Sequence, residues 1–134
     1  NNKMKKKLLI IASTYYKDIT QNLINDSLRT LNAKKHKIKV IKVPGAFEIP
    51  VVISKNIKKF DGFIALGCVI KGETPHFDFI CTSTFIALLN LAIKFKKPVG
   101  NGIITALNMK QAKKRSYIKG REAATAVLEI IKNG

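Results

Sequence analysis

The sequence is short of several residue types: among its 134 residues it has no tryptophan, two cysteines, and eight acidic residues against 25 basic ones. Aromatic residues make up only 7% of the chain, so the core must be mostly aliphatic. Cys68 and Cys81 lie in apolar segments without C-x-x-C spacing. Two such thiols are too few for a disulfide framework or a metal site, so we expect a reducing, cytoplasmic compartment and no bound metal.

Long uninterrupted apolar runs are also absent. No stretch approaches the ~20 apolar residues of a membrane-spanning helix. The apolar run at 8–12, which follows a group of lysines, is too short to be the hydrophobic region of a signal peptide. We therefore expect a soluble protein that has no membrane partner and is not exported.

The formal net charge of +17 is the unusual feature of the composition. Such a charge attracts nucleic acid, anionic membranes or anionic metabolites. The lysines fall in small groups at the ends of the predicted elements, without interleaved aromatic residues, and no known nucleic-acid-binding motif accompanies them. We expect most of them to form a solvated surface, and a nucleic-acid partner is the less favoured interpretation.

Strand and helix patterns alternate along the chain. Continuous apolar or β-branched runs predict strands at 7–13, 38–43, 61–70 and 98–105. Apolar residues at helical spacing predict helices at 19–34, 49–57, 74–95, 109–115 and 120–132. For the third helix, Thr74 is the predicted N-cap and Pro75 the first helical residue. The alternation predicts a single α/β domain, residues 1–134, with a parallel sheet covered by helices on both faces.

In a parallel α/β sheet, ligands bind outside the carboxyl ends of the strands. That rule selects the segments 13–17, 43–50, 69–76 and 105–109. The segment GCVIKGETPHFDFIC at 67–81 is the most informative, because Gly72 allows a tight turn before a predicted helix whose free N–H groups can bind an anion. Glu73 disfavours phosphate there unless its side chain turns away. His76, in the predicted first turn, is either a general base kept neutral by the helix dipole or a surface histidine without a role.

Other candidate residues flank the same strand ends. Glu48, in VPGAFEIP at 43–50, could accept hydrogen bonds from ligand hydroxyls or could only stabilise a helix start. Tyr15 and Tyr16 could offer a stacking face or could be loop aromatics. Arg115 and Lys119 could hold an anion. The residues alone therefore indicate an anion-binding α/β enzyme.

Four motifs in order add to this interpretation: VPGAFEIP, ALGCVIKGETPHFDFIC, PVGNGIIT and KGREAATAVLEII. Together with the first strand and STYYKDIT, they resemble the lumazine synthase family over residues 7–132. The resemblance implies a flavodoxin-like, four-stranded parallel sheet. It also implies condensation of 5-amino-6-(D-ribitylamino)uracil (a ribitylaminopyrimidine) with 3,4-dihydroxy-2-butanone 4-phosphate, releasing phosphate and water, without a metal or organic cofactor.

The resemblance also implies roles for individual residues. Tyr15 would stack on the pyrimidine ring, and Ala46, Phe47 and Glu48 would hold the ribityl chain. His76 would transfer protons during catalysis. Val69 and Ile70 would contact the ring, and the phosphate would lie in the loop of Gly72, Glu73 and Thr74, cradled by Gly72 and Thr74.

The remaining assignments involve a neighbouring subunit. Arg115 would reach the phosphate from the adjacent copy, so the active site would lie between the subunits of a homo-oligomer, a pentamer or a multiple of pentamers. Lys119 and Glu122 match a charged pair nearby. Asn101 stands where many relatives place an aromatic residue that covers the pyrimidine, and the loop between Arg115 and Lys119 is about four residues shorter than in common relatives.

Two alternatives to this transferase remain at this point. One is an oligomeric binding protein or shell that holds RNA or flavins without turnover, although such a protein has no need of Glu48, His76 and Arg115 together. The other is an archaeal-type riboflavin synthase, which would share the motifs but use lumazine as its substrate.

Overall fold

The computed structural model describes residues 5–134, so residues 1–4 of the predicted domain lie outside the described part of the chain. Strands and helices alternate, as the pattern predicted. The elements are β1 (Lys7–Ser13), α1 (Lys17–Asn32), β2 (Lys37–Val43), α2 (Ile49–Asn56), β3 (Gly62–Ile70), α3 (Phe77–Phe95), β4 (Val99–Ala106), α4 (Met109–Arg115) and α5 (Lys119–Asn133). Single 3-10 turns at Ala46–Glu48 and Lys71–Glu73 precede α2 and α3.

The four strands form one parallel sheet in the order β2-β1-β3-β4. Every residue of β3 is buried, which explains its continuous apolar sequence, because a central parallel strand is covered on both faces. Leu8 and Ile10 pack with α1 and α5 on one face, whereas Leu9 and Ile11 pack with α2 and α3 on the other. The predicted flavodoxin-like α/β class is therefore confirmed.

The predicted start of the third helix is wrong. α3 begins at Phe77, three residues after the predicted N-cap Thr74, and His76 takes the N-cap position with φ 58° and ψ 38°. Thr74 is extended, with φ −119° and ψ 112°, as expected of a residue before proline. Pro75 therefore lies ahead of the helix, and His76 makes the left-handed turn into it, a conformation in which histidine is enriched.

α3 is unusually exposed for an apolar helix. Among its 19 residues only Thr84 and Leu88 are buried, whereas Phe79 and Ile93 are 68% and 66% exposed. By length and composition alone, α3 is long and apolar enough to cross a membrane. This corrects the expectation that no segment approaches such a span, which was based on uninterrupted apolar runs. It overlooked a helix whose apolar residues are interrupted by Asp78, Lys94 and a few small polar residues.

The packing of α5 against α1 depends on a glycine. A Cβ at Gly120 would lie against the carbonyl oxygen of Leu23 and 2.9 Å from the hydroxyl of Ser27. Ser27 in turn donates a hydrogen bond to the Gly120 carbonyl, at 2.9 Å. The backbones of the two helices therefore approach each other directly, which fixes the first turn of α5.

Candidate active site

A cavity of about 300 Å³ lies at the carboxyl ends of the strands. Its lining comes from the segments that follow β1 and β2 and from the end of β3 with the start of α3. The lining residues are Tyr15, Gly45, Ala46, Phe47, Cys68, Val69, Glu73, Thr74, Pro75 and Ile80. The structure thus brings together three of the four segments selected from the sequence, as the rule for parallel sheets predicts.

Two exposed aromatic rings line this first cavity. Tyr15 is 68% exposed and Phe47 is 56% exposed. The Tyr15 ring meets the ring of Tyr16 edge to face, with centroids 4.9 Å apart and an interplanar angle of 89°. Whichever of the two rings supplies the edge, this contact leaves at least one face of Tyr15 free for stacking on a planar ligand.

Glu48 ends the 3-10 turn that leads into α2 and directly follows Phe47, which lines the same cavity, although Glu48 itself does not. It is half-buried, and its Oε1 atom would lie 3.1 Å from a Cβ at Gly45, so the glycine leaves space for the carboxylate. The Glu48 side chain does not cap α2. The carboxylate is therefore available to accept hydrogen bonds from a ligand.

Val69 and Ile70 lie on opposite faces of β3, because side chains alternate along a strand. The Val69 side chain belongs to the apolar cluster under α2 and α3 and lines the cavity. The Ile70 side chain, 1% exposed, is buried in the cluster on the α1 and α5 face. Of the predicted pair, Val69 can offer its side chain to a ligand and Ile70 only its backbone.

The Lys71–Glu73 turn differs from the sequence expectation at Gly72. This glycine does not have a positive φ, and a Cβ there would meet nothing within 4 Å. The backbone of the turn therefore does not require glycine. Because Gly72 has no side chain, it leaves the surface of the loop open. Glu73, which the sequence analysis treated as unfavourable for phosphate, directs its carboxylate to the Tyr16 hydroxyl, whose oxygen lies 2.6 Å away.

His76 is exposed at the start of α3, outside the helix rather than in its first turn. Its carbonyl oxygen accepts a hydrogen bond from the Ile80 amide at 2.9 Å, which closes the first helical turn. The imidazole does not line the first cavity but follows directly after Thr74 and Pro75, which do. The unpaired N–H groups at the beginning of α3 give this edge of the cavity a positive partial charge.

Cys68 also lines the cavity, although it was not among the predicted site residues. Its side chain is 5% exposed, and burial, together with the charge of Glu73, raises the pKa of the thiol to about 12. The group is therefore protonated near neutral pH and acts as a small apolar wall. The sequence of β3 is apolar throughout, so nothing in it distinguished Cys68 from its neighbours as a site residue.

A second cavity, of about 310 Å³, contains Asn101, Arg115 and Lys119 of the predicted site residues, whereas Glu48, Ile70, Gly72 and His76 line neither cavity. Its lining comes from α3, from β4 at the edge of the sheet, and from the segment where α4 is followed by α5. The lining residues are Phe85, Asn101, Ile103, Ile104, Thr105, Arg115, Ile118, Lys119 and Glu122. It shares no lining residue with the first cavity, so one chain holds the predicted site in two separate parts.

Arg115 is preoriented in this second cavity. Its Nη1 atom donates to the Thr105 carbonyl at 2.7 Å, and the other guanidinium nitrogens form no hydrogen bond to any of residues 5–134. Asn101 is exposed, and its Oδ1 accepts from the Ile103 amide at 3.1 Å. Lys119 and Glu122 line the cavity, but within residues 5–134 they form no ion pair with each other.

A further cavity, of about 370 Å³, lies at the opposite end of the sheet. Lys7, Lys37, Lys39 and Lys59 line it, and none of the predicted site residues does. Because it lies at the amino ends of β1 and β2, the rule for parallel sheets does not select it as the ligand site. Within residues 5–134, no group of three or more His, Cys, Asp and Glu side chains could hold a metal ion.

A family model described as 6,7-dimethyl-8-ribityllumazine synthase matches residues 5–133. The chain belongs to this family. A 6,7-dimethyl-8-ribityllumazine synthase of Corynebacterium kroppenstedtii is 37% identical over 128 residues, which cover 91% of this chain and 80% of the relative. The enzyme of the same name from Vesicomyosocius okutanii is 39% identical over 138 residues, covering 92% and 83%. That of Nitratidesulfovibrio vulgaris is 37% identical over 135 residues, covering 94% and 86%.

Lumazine synthases are transferases that make the precursor of riboflavin, so the predicted family and enzyme class are confirmed. The motifs that carried the resemblance occupy both cavities: Tyr15, Phe47 and Thr74 line the first, and Asn101 and Lys119 line the second. The roles of the individual residues stay predictions.

Proposed function

We propose that this chain condenses 5-amino-6-(D-ribitylamino)uracil with 3,4-dihydroxy-2-butanone 4-phosphate to form 6,7-dimethyl-8-ribityllumazine, with release of phosphate and water. The match of residues 5–133 to the lumazine synthase family carries the proposal. The first cavity supports it, because exposed aromatic rings and the start of a helix meet there at one sheet edge, and Glu48 directly follows the lining residue Phe47.

The pyrimidine substrate binds in the mouth of the first cavity. The free face of Tyr15 stacks on the pyrimidine ring, and the side chain of Val69 packs against it. The ribityl chain extends toward Ala46 and Phe47, where the Glu48 carboxylate accepts hydrogen bonds from its hydroxyls. These bonds are strong because the acceptor is charged.

The butanone phosphate binds beside the start of α3. The loop of Gly72 and Thr74 and the free N–H groups of the helix bind the phosphate. A guanidinium group completes this site, since it matches phosphate geometry through two parallel hydrogen bonds. The Thr105 carbonyl orients Arg115 for that role, and Arg115 of a second copy supplies it.

Catalysis depends chiefly on holding the amine and the ketone together, which turns a bimolecular reaction into an effectively unimolecular one. The amine attacks the carbonyl carbon, water leaves to form the imine, and phosphate is lost before the ring closes. His76 moves protons during these steps, which is worth roughly 10²–10⁴-fold in rate. Its position directly after the phosphate loop supports this role.

A homo-oligomer, a pentamer or a multiple of pentamers, is part of the proposal. The separation of the two cavities in one chain supports it, since a second copy can bring Arg115 and Lys119 to the first cavity of its neighbour. The exposed apolar face of α3, with Phe79, Leu89 and Ile93, is suited to burial against another copy. The cytoplasm is the proposed location, supported by the free thiols of Cys68 and Cys81.

The direct test mixes the purified protein with both substrates and follows lumazine formation by absorbance, with the spontaneous reaction as the blank. We expect formation well above the blank, and the His76→Ala variant should lower turnover while substrate binding is retained. Arg115→Ala should raise the KM for the butanone phosphate far more than the KM for the pyrimidine. No acceleration by a protein shown to be folded and oligomeric contradicts the proposed function.

A further inference from the structure

We infer that Tyr16 is a positioning residue of the proposed reaction: its hydroxyl holds Glu73, and thereby the phosphate loop, while its ring supports Tyr15. The inference rests on the proposed function, because it concerns the substrates of that reaction. It joins the part of the site that stacks on the pyrimidine to the part that binds the phosphate.

The contact itself is short and charge-assisted. The Tyr16 hydroxyl donates to Oε1 of Glu73 at 2.6 Å, across a separation of 57 residues in the sequence. Hydrogen bonds to a charged acceptor are stronger than those between neutral groups. All three residues of the Lys71–Glu73 turn are exposed, so packing does little to fix this turn. The bond to Tyr16 is therefore a main restraint on the loop.

Tyr16 has the rigid surroundings that such a restraint requires. Its ring packs against the apolar cluster between the sheet and helices α1 and α5. Its backbone carbonyl accepts the Thr20 amide at 3.0 Å as α1 begins. The edge-to-face contact with Tyr15 then holds the stacking ring on the same support.

The bond also controls a negative charge beside the proposed phosphate. Burial, and then the bond to Glu73, raise the pKa of Tyr16 above its ordinary value, so the hydroxyl stays a donor across the working pH range. With the bond in place, the Glu73 carboxylate is held toward the Tyr16 hydroxyl. Without it, a free carboxylate would lie in the loop that binds a phosphate and would repel it.

The test is Tyr16→Phe, which removes the hydroxyl and keeps the ring against Tyr15. We expect kcat/KM for the butanone phosphate to fall by about tenfold, while the KM for the pyrimidine changes little. The matched control is Tyr117→Phe, because Tyr117 is 53% exposed and its hydroxyl bonds to none of residues 5–134. Control activity should equal that of the wild type. Equal losses for both substrates, or no loss, would overturn the inference.

Two changes at Glu73 separate its positioning role from direct substrate binding. Glu73→Gln still accepts the Tyr16 hydroxyl bond and should keep near-wild-type activity. Added to Tyr16→Phe, it removes the freed charge and should recover part of the lost affinity for the phosphate. If Glu73→Gln alone is as damaging as Glu73→Ala while Tyr16→Phe is harmless, the carboxylate acts on the substrate and the inference is wrong.

A measurement without substrate distinguishes failure of this inference from failure of the proposed function. In a double-mutant cycle of urea unfolding, Tyr16→Phe and Glu73→Ala should be non-additive, since either change alone breaks the same bond. Additive effects overturn the inference even if the wild type forms lumazine. If the cycle is non-additive but the wild type forms no lumazine, the bond exists and the proposed function is refuted. The bond then has no role in that reaction.

Discussion

Combining two impaired variants should restore activity at butanone phosphate concentrations below the KM of Arg115→Ala, because the two parts of the site come from different copies in the proposed assembly. His76→Ala leaves Arg115 and the second cavity intact, and Arg115→Ala leaves His76 and the first cavity intact. Each variant alone lacks one essential group in every site. In a mixed assembly, some sites combine His76 from an Arg115→Ala copy with Arg115 from a His76→Ala copy. Those sites contain both essential groups.

The size of the recovery follows from this geometry. With equal amounts of both variants and random assembly into a ring of head-to-tail contacts, about one quarter of the sites have both groups. This fraction does not depend on the number of subunits. As a control, equal mixing of the wild type with His76→Ala leaves about half of the sites competent.

The assay co-expresses the two variants with different affinity tags, isolates mixed assemblies through both tags in succession, and measures lumazine formation per subunit. We expect about one quarter of the wild-type rate, against near-background rates for each variant alone. If the mixed variants stay at the background rate while the mixture of wild type and His76→Ala keeps half of the wild-type activity, the site is not shared between subunits. The functional residues would then have to meet within one chain.

Three further predictions concern stability and assembly. Gly120→Ala should lower the free energy of unfolding by about 1–3 kcal/mol, because the added Cβ presses on the Leu23 carbonyl; an unchanged urea midpoint contradicts this. Burial and the charge of Lys6 lower the pKa of His36 in the folded protein. The unfolded chain therefore binds more protons, and stability should fall as pH drops below about 6.5; a His36→Gln variant with the same pH dependence counts against it. Ile93→Lys should dissociate the assembly in sedimentation velocity without unfolding the chain, and an unchanged sedimentation coefficient would show that this face of α3 is not an interface.

Elements with strong local signals could be predicted from the sequence. The strand predicted at 61–70 is found at Gly62–Ile70, because its apolar run is long and no helical period competes with it. The helix predicted at 109–115 is Met109–Arg115. The start of α3 was missed because Thr74 and Pro75 have the pattern of an N-cap followed by a first helical residue. The left-handed turn at His76 depends on how the preceding 3-10 turn meets the helix, which no local spacing reveals.

For the candidate site, the grouping of residues after the strands could be predicted, but the side-chain contacts among them could not. Parallel sheets gather the segments after their strands, so Tyr15, Phe47 and Thr74 were expected near one another and line one cavity. The bond between Tyr16 and Glu73 could not be predicted, because it joins residues 57 positions apart through side-chain orientation alone. The exposed face of α3 was also missed, since its apolar residues lie around the whole helix and only contacts in the fold show which are covered.

The buried thiol of Cys68 has a consequence for chemical compatibility. The proposed substrate is an electrophilic ketone, and a thiolate in the same cavity would compete with the amine for its carbonyl carbon and could inactivate the enzyme with its own substrate. Because burial raises the pKa of Cys68 to about 12, almost all of this thiol stays protonated at neutral pH. Burial thus keeps this cysteine unreactive toward the ketone. A substitution that lets water reach Cys68 would lower the pKa of its thiol and expose the enzyme to inactivation by its own substrate.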